Sequence, residues 1–481
     1  MLFNSLDFAI FLPIVFIFYW FITNKNLKVQ NILLLVASYI FYGWWDWRFL
    51  SLIVFSSFID YFVGITLYKT EDRQKRKILL WVSIIVNIGF LGFFKYYNFF
   101  TQSFADAFTL LGNHIESSRL NIILPVGISF YTFQTLSYTI DIYRKKLEPT
   151  SDIISFFAFV SFFPQLVAGP IERASNLLPQ FYKKRHFSYS KAADGMRQIL
   201  WGLFKKVVIA DNAATYANEI FNNYGDYSGS TLFLGAVFFA FQIYGDFSGY
   251  SDIAIGTSRL FGFNLMQNFS FPYFSRDIAE FWRRWHISLS TWFRDYVYIP
   301  LGGSRGGTWM KIRNIFIIFL VSGFWHGANW TFIVWGFINA LYFLPIMLLN
   351  RNRVNTNVIA QGRSLPNIKE FIQMLCTFFI TVIAWIFFRA ETIGEALNYI
   401  RGVFSITFLS IPKVIDKTMP INILLICFFI LLEWIHRDKE HGLQLELIKI
   451  PRIIRWSLYI GILWLIIIFG GNQQEFIYFQ F

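Results

Sequence analysis

The chain has 481 residues, of which 56% are hydrophobic, 21% aromatic and only 15% charged, with a mean hydropathy of +0.48. Soluble globular proteins carry about 25% charged residues, so the composition excludes that class and predicts several membrane-embedded segments. The formal net charge is +13, and the basic residues lie between apolar segments, which indicates membrane topology and excludes a nucleic-acid-binding domain. Backbone groups in hydrocarbon must be satisfied within a segment, and the alternating pattern of a barrel is absent. The segments are therefore predicted to be helices.

Four spans are predicted in the N-terminal part of the chain, at 6–22, 30–45, 48–68 and 78–94. Only 45–47 separate the second span from the third, which predicts a tight helical hairpin. The loop 69–77 carries five basic and two acidic residues, a net of +3. Because Lys and Arg gather in cytoplasmic loops, this loop is placed in the cytoplasm and the N-terminus outside.

The next part of the chain is less regular. Residues 98–120 are mixed in polarity and are predicted to form an external amphipathic segment, whereas 122–143 are predicted to run inward. Two prolines and a glycine at 164–170 interrupt the apolar stretch 153–170. Because irregular backbone at membrane depth needs protein or a cavity around it, this pattern predicts a broken, re-entrant segment.

Two further segments combine apolar and polar character. Residues 191–212 are amphipathic and contain Lys205 and Lys206, which predicts a helix at the cytoplasmic interface. Residues 231–260 are apolar but contain GDFSGYSD, which predicts a break near Gly245–Gly249.

The C-terminal half contains the longest uncharged stretch of the chain. Residues 274–300 are amphipathic and aromatic, and the glycine-rich turn 301–307 follows them. The segment 314–349 is long enough for one tilted span plus a broken portion. Later spans are predicted at 371–388, 420–435 and 454–470.

His326 is the first candidate functional residue. It lies in SGFWHGANW, inside a stretch from 314 to 350 that has no Asp, Glu, Lys or Arg. A titratable side chain in an embedded segment is costly, and such residues usually serve a function. A buried imidazole is expected to be neutral, which suits a general base that takes the proton of an attacking hydroxyl. The alternative is a structural histidine bonded to a neighbouring carbonyl.

His286 is the second candidate. It lies in FWRRWHISLSTWFRDYVYIPLGG, behind Arg283 and Arg284. Two histidines in embedded segments can share one cavity even forty residues apart in sequence. The alternative is an interfacial helix whose arginines anchor it to lipid headgroups. The remaining histidines are predicted to be solvated surface residues: His114, His186, His436 and His441.

Other chemical motifs are weak. No His-x-x-x-His or Cys-x-x-Cys pair occurs, so no metal site is predicted. The stretch 242–256 carries Asp246 and Asp252, and its glycines allow close approach of either a helix or a substrate. The turn LGGSRGG, 301–307, lacks Walker spacing, but its glycine N–H groups and Arg305 are a candidate contact for the phosphates of a nucleotide-linked donor.

Six stretches together resemble the membrane-bound O-acyltransferase (MBOAT) family, and most closely its bacterial branch that acetylates alginate and other exopolysaccharides. They are LPVGISFYTFQTLSYTIDIYR (124–144), FFPQLVAGPIERA (162–174), the stretch 242–256, the stretch around His286, GFWHGANWTFIVWG (323–336) and the C-terminal FIYFQF. The resemblance implies one membrane-embedded domain over 1–481. It also implies an all-α polytopic fold, a ring of roughly nine to twelve embedded helices with re-entrant segments and a central two-sided funnel.

The resemblance also implies the chemistry. His326 matches the near-invariant catalytic histidine of the family, and His286 matches the second histidine of this branch. An acyl thioester, acetyl-CoA above all, is the implied cytoplasmic donor, with no bound cofactor. The implied acceptor is a polysaccharide hydroxyl outside the membrane, reached directly or through a periplasmic or extracellular partner protein. The implied location is the bacterial cytoplasmic (inner) membrane.

Two kinds of alternative stay open. The same machinery serves D-alanyl transfer to teichoic acid and peptidoglycan O-acetylation in similar proteins. The non-enzyme alternative is a transporter or flippase for an acyl or lipid-linked cargo, with the histidines in a proton relay. A proton-coupled transporter usually pairs buried acids with bases, and the stretch around His326 contains no acid.

Overall fold

The computed structural model describes residues 1–116, 119–361, 365–445, 450–471 and 474–477, and the regular structure within these ranges is helical. Six helices there are long and apolar enough to cross a membrane, and three shorter apolar helices accompany them. The prediction of an all-α polytopic membrane protein is therefore confirmed. The six long ones are Leu27–Lys69, Arg73–Leu110, Gly229–Leu260, Trp330–Leu348, Ile368–Arg389 and Arg452–Phe469.

The chain forms two compact units. The first contains Met1–Lys191 and Ser258–Leu265, and the second contains Ala192–Thr257 and Met266–Phe481. The single domain over 1–481 stays a prediction.

The described residues of the first unit contain eight complete α-helices. They are α1 Leu6–Ile17, α2 Leu27–Lys69, α3 Arg73–Leu91, α4 Tyr97–Leu110, α5 Ile128–Tyr143, α6 Ile153–Ser161, α7 Phe163–Leu166 and α8 Ala174–Phe181. The predicted second and third spans are the two parts of α2, which meet at the extended backbone of Asp46 (φ −159°, ψ 109°). The predicted break in 153–170 is also present, at Phe162 between α6 and α7.

A buried carboxylate links three helices of this unit. Asp60 of α2 accepts hydrogen bonds from Ser83 and Asn87 of α3 and from Thr139 of α5. Burying a carboxylate is tolerated when several donors satisfy its oxygens, so these polar side chains fix the packing of α2, α3 and α5.

Eleven further α-helices follow in the described residues and lie in the second unit, except that α9 begins and α11 ends within the first. They are α9 Tyr189–Leu203, α10 Asp211–Asn222, α11 Gly229–Leu260, α12 Ile278–Arg284, α13 Ile287–Phe293, α14 Thr308–His326, α15 Trp330–Leu348, α16 Ile368–Arg389, α17 Ile393–Val403, α18 Met419–Ile435 and α19 Arg452–Phe469. The segment 314–349 therefore falls mainly on two helices, α14 and α15. The later predicted spans correspond to α16, α18 and α19.

The prediction of an interfacial helix at 191–212 is wrong for its second half. Residues Phe204–Ala210 form a π-helical turn after α9, and Lys205 and Lys206 are only 3% and 2% exposed. Their ammonium groups lie 2.5 Å from Asp252 and 2.8 Å from Asp246. These lysines, predicted at the interface, are buried because Asp246 and Asp252 of α11 and Asp211 of α10 neutralise them.

The predicted break at Gly245–Gly249 is also wrong, because α11 is continuous from Gly229 to Leu260. The glycines serve helix packing instead. A Cβ at Gly249 would lie 2.7 Å from the carbonyl oxygen of Gly202 in α9. Small residues let two helix backbones touch in this way, and this contact brings Asp246 and Asp252 to the lysines.

Candidate functional site

His326 is placed by a hairpin of two helices. Helix α14 ends at His326, Gly327 is extended, and α15 begins after Asn329, whose side chain caps the helix by accepting from the Thr331 N–H at 3.1 Å. The two helices touch through their backbones, since a Cβ on Gly323 would lie 2.3 Å from the Phe332 carbonyl oxygen. The hairpin thus fixes the histidine at the break between two helices.

Aromatic rings surround His326, which is 3% exposed. Its ring centroid lies 4.9 Å from Trp325, 5.1 Å from Trp335 and 5.4 Å from Phe388. All three pairs are edge-to-face, the arrangement that aromatic quadrupoles favour. The rings restrict the imidazole and keep most water away from it.

His286 lies at the junction of α12 and α13, in a backbone conformation that few residues adopt. Its φ of 44° and ψ of 56° are left-handed, and the ring is 1% exposed. Two main-chain hydrogen bonds hold the junction, from the Ser270 N–H to the Arg284 carbonyl at 2.9 Å and from the Ile287 N–H to the Asn268 carbonyl at 2.8 Å. Such strain persists only where the surroundings enforce it, and it is often found at functional sites.

Asn268 determines which nitrogen of His286 carries the proton. The backbone N–H of Ser288 donates to Asn268 Oδ1 at 3.3 Å, and the Ser288 hydroxyl donates to the same oxygen at 2.8 Å. Because a backbone N–H can only donate, the atom that faces His286 is an oxygen. His286 Nδ1 lies 3.1 Å from that oxygen and must therefore carry the hydrogen.

The other ring nitrogen of His286 is left as an acceptor. Burial lowers the pKa of His286 to about 3, so the ring is neutral at physiological pH. A neutral imidazole with hydrogen on Nδ1 has a lone pair on Nε2. Within the described part of the chain, Nε2 has no hydrogen-bond partner. The arrangement can therefore accept a hydrogen bond from a hydroxyl but cannot donate one from Nε2.

Both candidate histidines line one cavity of the second unit, with a volume of about 560 Å³. Helices α12 to α15 and the loops beside them form its walls. Four cationic side chains line it as well, Arg283, Arg294, Lys311 and Arg353, and no Asp or Glu is found among the described lining residues. Asp295 binds Arg294 at 2.7 Å, whereas Arg283 donates to the carbonyls of Asn352 and Asn355.

The other predicted residues lie elsewhere. Arg305 is exposed and is not part of the cavity wall, although its neighbour Ser304 is. The prediction that His441 is a solvated surface residue is wrong. It is 2% exposed, and its Nε2 lies 3.4 Å from a carboxylate oxygen of Asp194. The C-terminal FIYFQF is only partly within the described residues, which end at Ile477.

Sequence reasoning missed Asn268 and the cationic side chains at 311 and 353. Asn268 stands in a loop of ordinary composition, NLMQNFS, and its role depends on a contact eighteen residues away. The sequence does carry a signal for Lys311, because it and Arg313 are the cations that precede the uncharged stretch beginning at Asn314.

Residues 143–388 match the model of MBOAT, the membrane-bound O-acyltransferase family. The probable alginate O-acetylase AlgI of Pseudomonas aeruginosa is 40% identical over 410 residues, which cover 84% of this chain and 75% of the relative.

Two other relatives widen the comparison. The peptidoglycan O-acetyltransferase of Helicobacter pylori is 33% identical over 529 aligned positions, covering 100% of this chain and 98% of the relative. The teichoic acid D-alanyltransferase of Bacillus subtilis is 30% identical over 234 residues, covering 46% of this chain and 58% of the relative. The agreement of family model, relatives and helical architecture replaces the transporter alternative with an enzyme: the chain belongs to the membrane-bound O-acyltransferase family.

Proposed function

We propose that this protein transfers an acyl group, in the first place acetyl, from an anionic thioester to a hydroxyl of a cell-envelope polysaccharide. The observation that carries the proposal is that His326 and His286 line the same cavity. The names of the relatives support the class of acceptor, because alginate, peptidoglycan and teichoic acid are all polymers of the cell envelope.

His326 acts as the general base in this proposal. It takes the proton of the acceptor hydroxyl while the oxygen attacks the thioester carbonyl carbon, so that a C–O bond forms and the C–S bond breaks. The proton then passes to the departing thiolate, and the histidine returns to its neutral form. His286 accepts a hydrogen bond at Nε2 from a neighbouring hydroxyl of the acceptor sugar, which positions the sugar and leaves the proton of the attacking hydroxyl to His326.

The charge of the cavity supports an anionic donor. Arg283, Lys311 and Arg353 line it without acidic lining residues to balance them among those described. A wall of one charge sign attracts and orients substrates of the opposite sign. Acetyl-CoA, with its phosphates, is the donor of this kind that we favour, and it binds as a substrate rather than as a resident cofactor. Arg305 remains a candidate for an outer phosphate contact.

The acceptor approaches from the other side of the membrane in this proposal. The basic loop 69–77 faces the cytoplasm, and the N-terminus lies outside the cytoplasmic membrane. A funnel from each face leads to the histidines, so that the charged donor does not have to cross hydrocarbon. A periplasmic or extracellular partner completes the transfer where the polymer cannot reach the cavity itself.

Two acceptors compete with alginate-like polysaccharide. Peptidoglycan is favoured by a relative that aligns with 100% of this chain. D-alanyl transfer to teichoic acid has weaker support, because that relative covers 46% of the chain.

Purified full-length protein in lipid nanodiscs tests the proposal directly. Thiol release from acetyl-CoA is measured with alginate oligosaccharides, with peptidoglycan fragments and without acceptor, for wild type and for His326→Ala. We expect acceptor-dependent release by wild type alone. The D-alanyl thioester of a carrier protein, offered with lipoteichoic acid, tests the remaining alternative. No His326-dependent thiol release with either donor would contradict the proposal.

A further inference from the structure

A second site lies in the first unit, around a buried arginine. Arg185 stands in the segment after α8 and is 7% exposed. Its Nη2 donates to the side-chain oxygens of Asn31 at 2.7 Å and Gln30 at 3.3 Å. Its guanidinium also lies over the rings of Tyr19 and Phe263, at 5.6 Å and 4.9 Å from their centroids. All of these partners are neutral.

This cation lacks a counter-charge. Among the described residues, the oxygens that accept from Arg185 belong to Gln180, Gln30 and Asn31 and are all neutral, and its Nε has no hydrogen-bond acceptor. Burial lowers the pKa of Arg185, which expresses the cost of keeping the charge away from water. Buried charges in proteins are normally paired, because an unpaired one is strongly destabilising. An anion beside Arg185 would supply the counter-charge that its neutral partners do not.

A pocket of about 420 Å³ adjoins Arg185 and has the character that such an anion needs. Lys25, Lys184 and His186 line it, and no acidic residue is found among its described lining residues. Aromatic rings close the other side. Phe187 packs against Trp20 with ring centroids 5.6 Å apart and against Phe16 at 6.0 Å.

We propose that this pocket binds the phosphate group of an anionic phospholipid, with Arg185 as the buried anchor and Lys25 and Lys184 at the entrance. The aromatic residues favour a lipid over free phosphate. The pocket lies at the end of the apolar helical stretch Leu6–Ile22, where Phe21 and Phe187 are 75% and 50% exposed. Aromatic rings beside cations at the end of an apolar helix are typical of the headgroup region. The proposal is independent of the acyl-transfer chemistry.

The test compares lipids in thermal unfolding of the full-length protein in detergent micelles. Phosphatidylglycerol or phosphatidylcholine is titrated into the micelles, and the Tm is measured for wild type, for Lys25→Gln/Lys184→Gln and for Arg185→Met. We expect phosphatidylglycerol to raise the Tm of wild type in a saturable manner, since a ligand of the native state stabilises it. The half-saturating amount should rise about tenfold or more in the double variant, because each Lys or Arg adds attraction to anionic lipid.

The matched control replaces two exposed lysines outside the pocket, Lys75→Gln/Lys77→Gln, which should respond to phosphatidylglycerol as wild type does. Native mass spectrometry supplies a second measurement, the number of phosphatidylglycerol molecules retained, and applies to any variant whose Tm is too low to follow. Equal responses to the two lipids, or equal responses of the two double variants, would overturn the proposal. Inorganic phosphate that reproduces the full Tm increase in phosphatidylcholine micelles would overturn the assignment to a lipid.

Discussion

Replacing Asn268 with Leu removes the oxygen that fixes the proton of His286 while keeping a side chain of similar size. Three donors lose their acceptor: His286 Nδ1 at 3.1 Å, the Ser288 N–H at 3.3 Å and the Ser288 hydroxyl at 2.8 Å. A buried donor left unsatisfied costs about 1–3 kcal/mol. If that loss falls on the productive orientation of His286, it corresponds to roughly a 10- to 100-fold decrease in kcat.

The assay separates kcat from KM for the thioester donor in nanodiscs. We expect kcat to fall and the KM of the donor to stay nearly constant, because Asn268 acts through His286. The matched control is Ser251→Ala. Ser251 accepts from the Asn268 amide N–H at 3.0 Å, so this variant disturbs the same side chain but leaves Oδ1 on His286. Its kcat should stay within about threefold of wild type, because the energy lost falls on the Asn268 amide N–H and not on the orientation of His286.

Asn268→Asp changes the pH dependence with a definite sign. A carboxylate beside Nδ1 favours the imidazolium, so the pKa of His286 rises from its wild-type value of about 3. Below the new pKa, Nε2 carries a proton and cannot accept a hydrogen bond. The acid limb of the kcat profile should therefore move to higher pH, with activity recovering as the pH increases.

A measurement without substrate supports or refutes the same reasoning. NMR of ¹⁵N-histidine-labelled wild type reports which ring nitrogen carries hydrogen. The His286 signal is identified by its loss in His286→Ala, and it should show hydrogen on Nδ1. Hydrogen on Nε2 would refute the tautomer assignment, whatever the reaction of the enzyme. Two kinetic results would also refute the role given to Asn268. One is a folded Asn268→Leu variant that keeps more than a third of the wild-type kcat. The other is a Ser251→Ala variant whose kcat falls as far as that of Asn268→Leu.

Four further predictions concern the site, the packing and the topology. His326→Ala should lower acyl transfer by about 10²–10⁴-fold in a folded protein, and residual turnover above a tenth would remove this residue as the base. His286→Ala should lose less, and full activity at normal expression would favour an anchoring role for its segment. Gly249→Leu should unfold the second unit at lower temperature, because even a Cβ would lie 2.7 Å from a carbonyl oxygen of α9; an unchanged Tm would contradict the packing. In a cysteine-free variant, an impermeant thiol reagent outside the cell should label a cysteine at Asn113 but not one at Lys75, and the reverse pattern would overturn the topology.

The sequence predicts the spans well, because long apolar stretches leave few other choices. The predicted span at 371–388 lies inside α16, and 454–470 coincides closely with α19. Glycine and charge within an apolar stretch are harder to interpret. Gly245 and Gly249 have the composition of a helix break, yet the neighbouring backbone of α9 makes them packing residues. Contact with a neighbouring helix decides whether such glycines break their own helix or let two helices pack closely, and a single sequence does not show that contact.

Some residues of the candidate site can be predicted from the sequence, and others cannot. His326 and His286 stand out because ionisable residues are rare in apolar surroundings, and the structure brings both to one cavity. Asn268 gives no such signal, since amides are common in loops. The prediction that Lys205 lies at the interface is wrong because its carboxylate partner, Asp252, is far away in the sequence.

The close contact between α14 and α15 has an evolutionary consequence. A Cβ at Gly323 or Gly336 would lie 3.4 Å from the Cα of the other glycine, and each would also meet a main-chain oxygen. The location of His326 is therefore set by two main chains, which no exchange of neighbouring side chains can shift by much. If His326 is the base, as proposed, descendants of this enzyme that adopt other substrates must keep it where it is. Substitutions that change the substrate are therefore expected among the other lining residues of the cavity, on α12, α13 and the loop after α15.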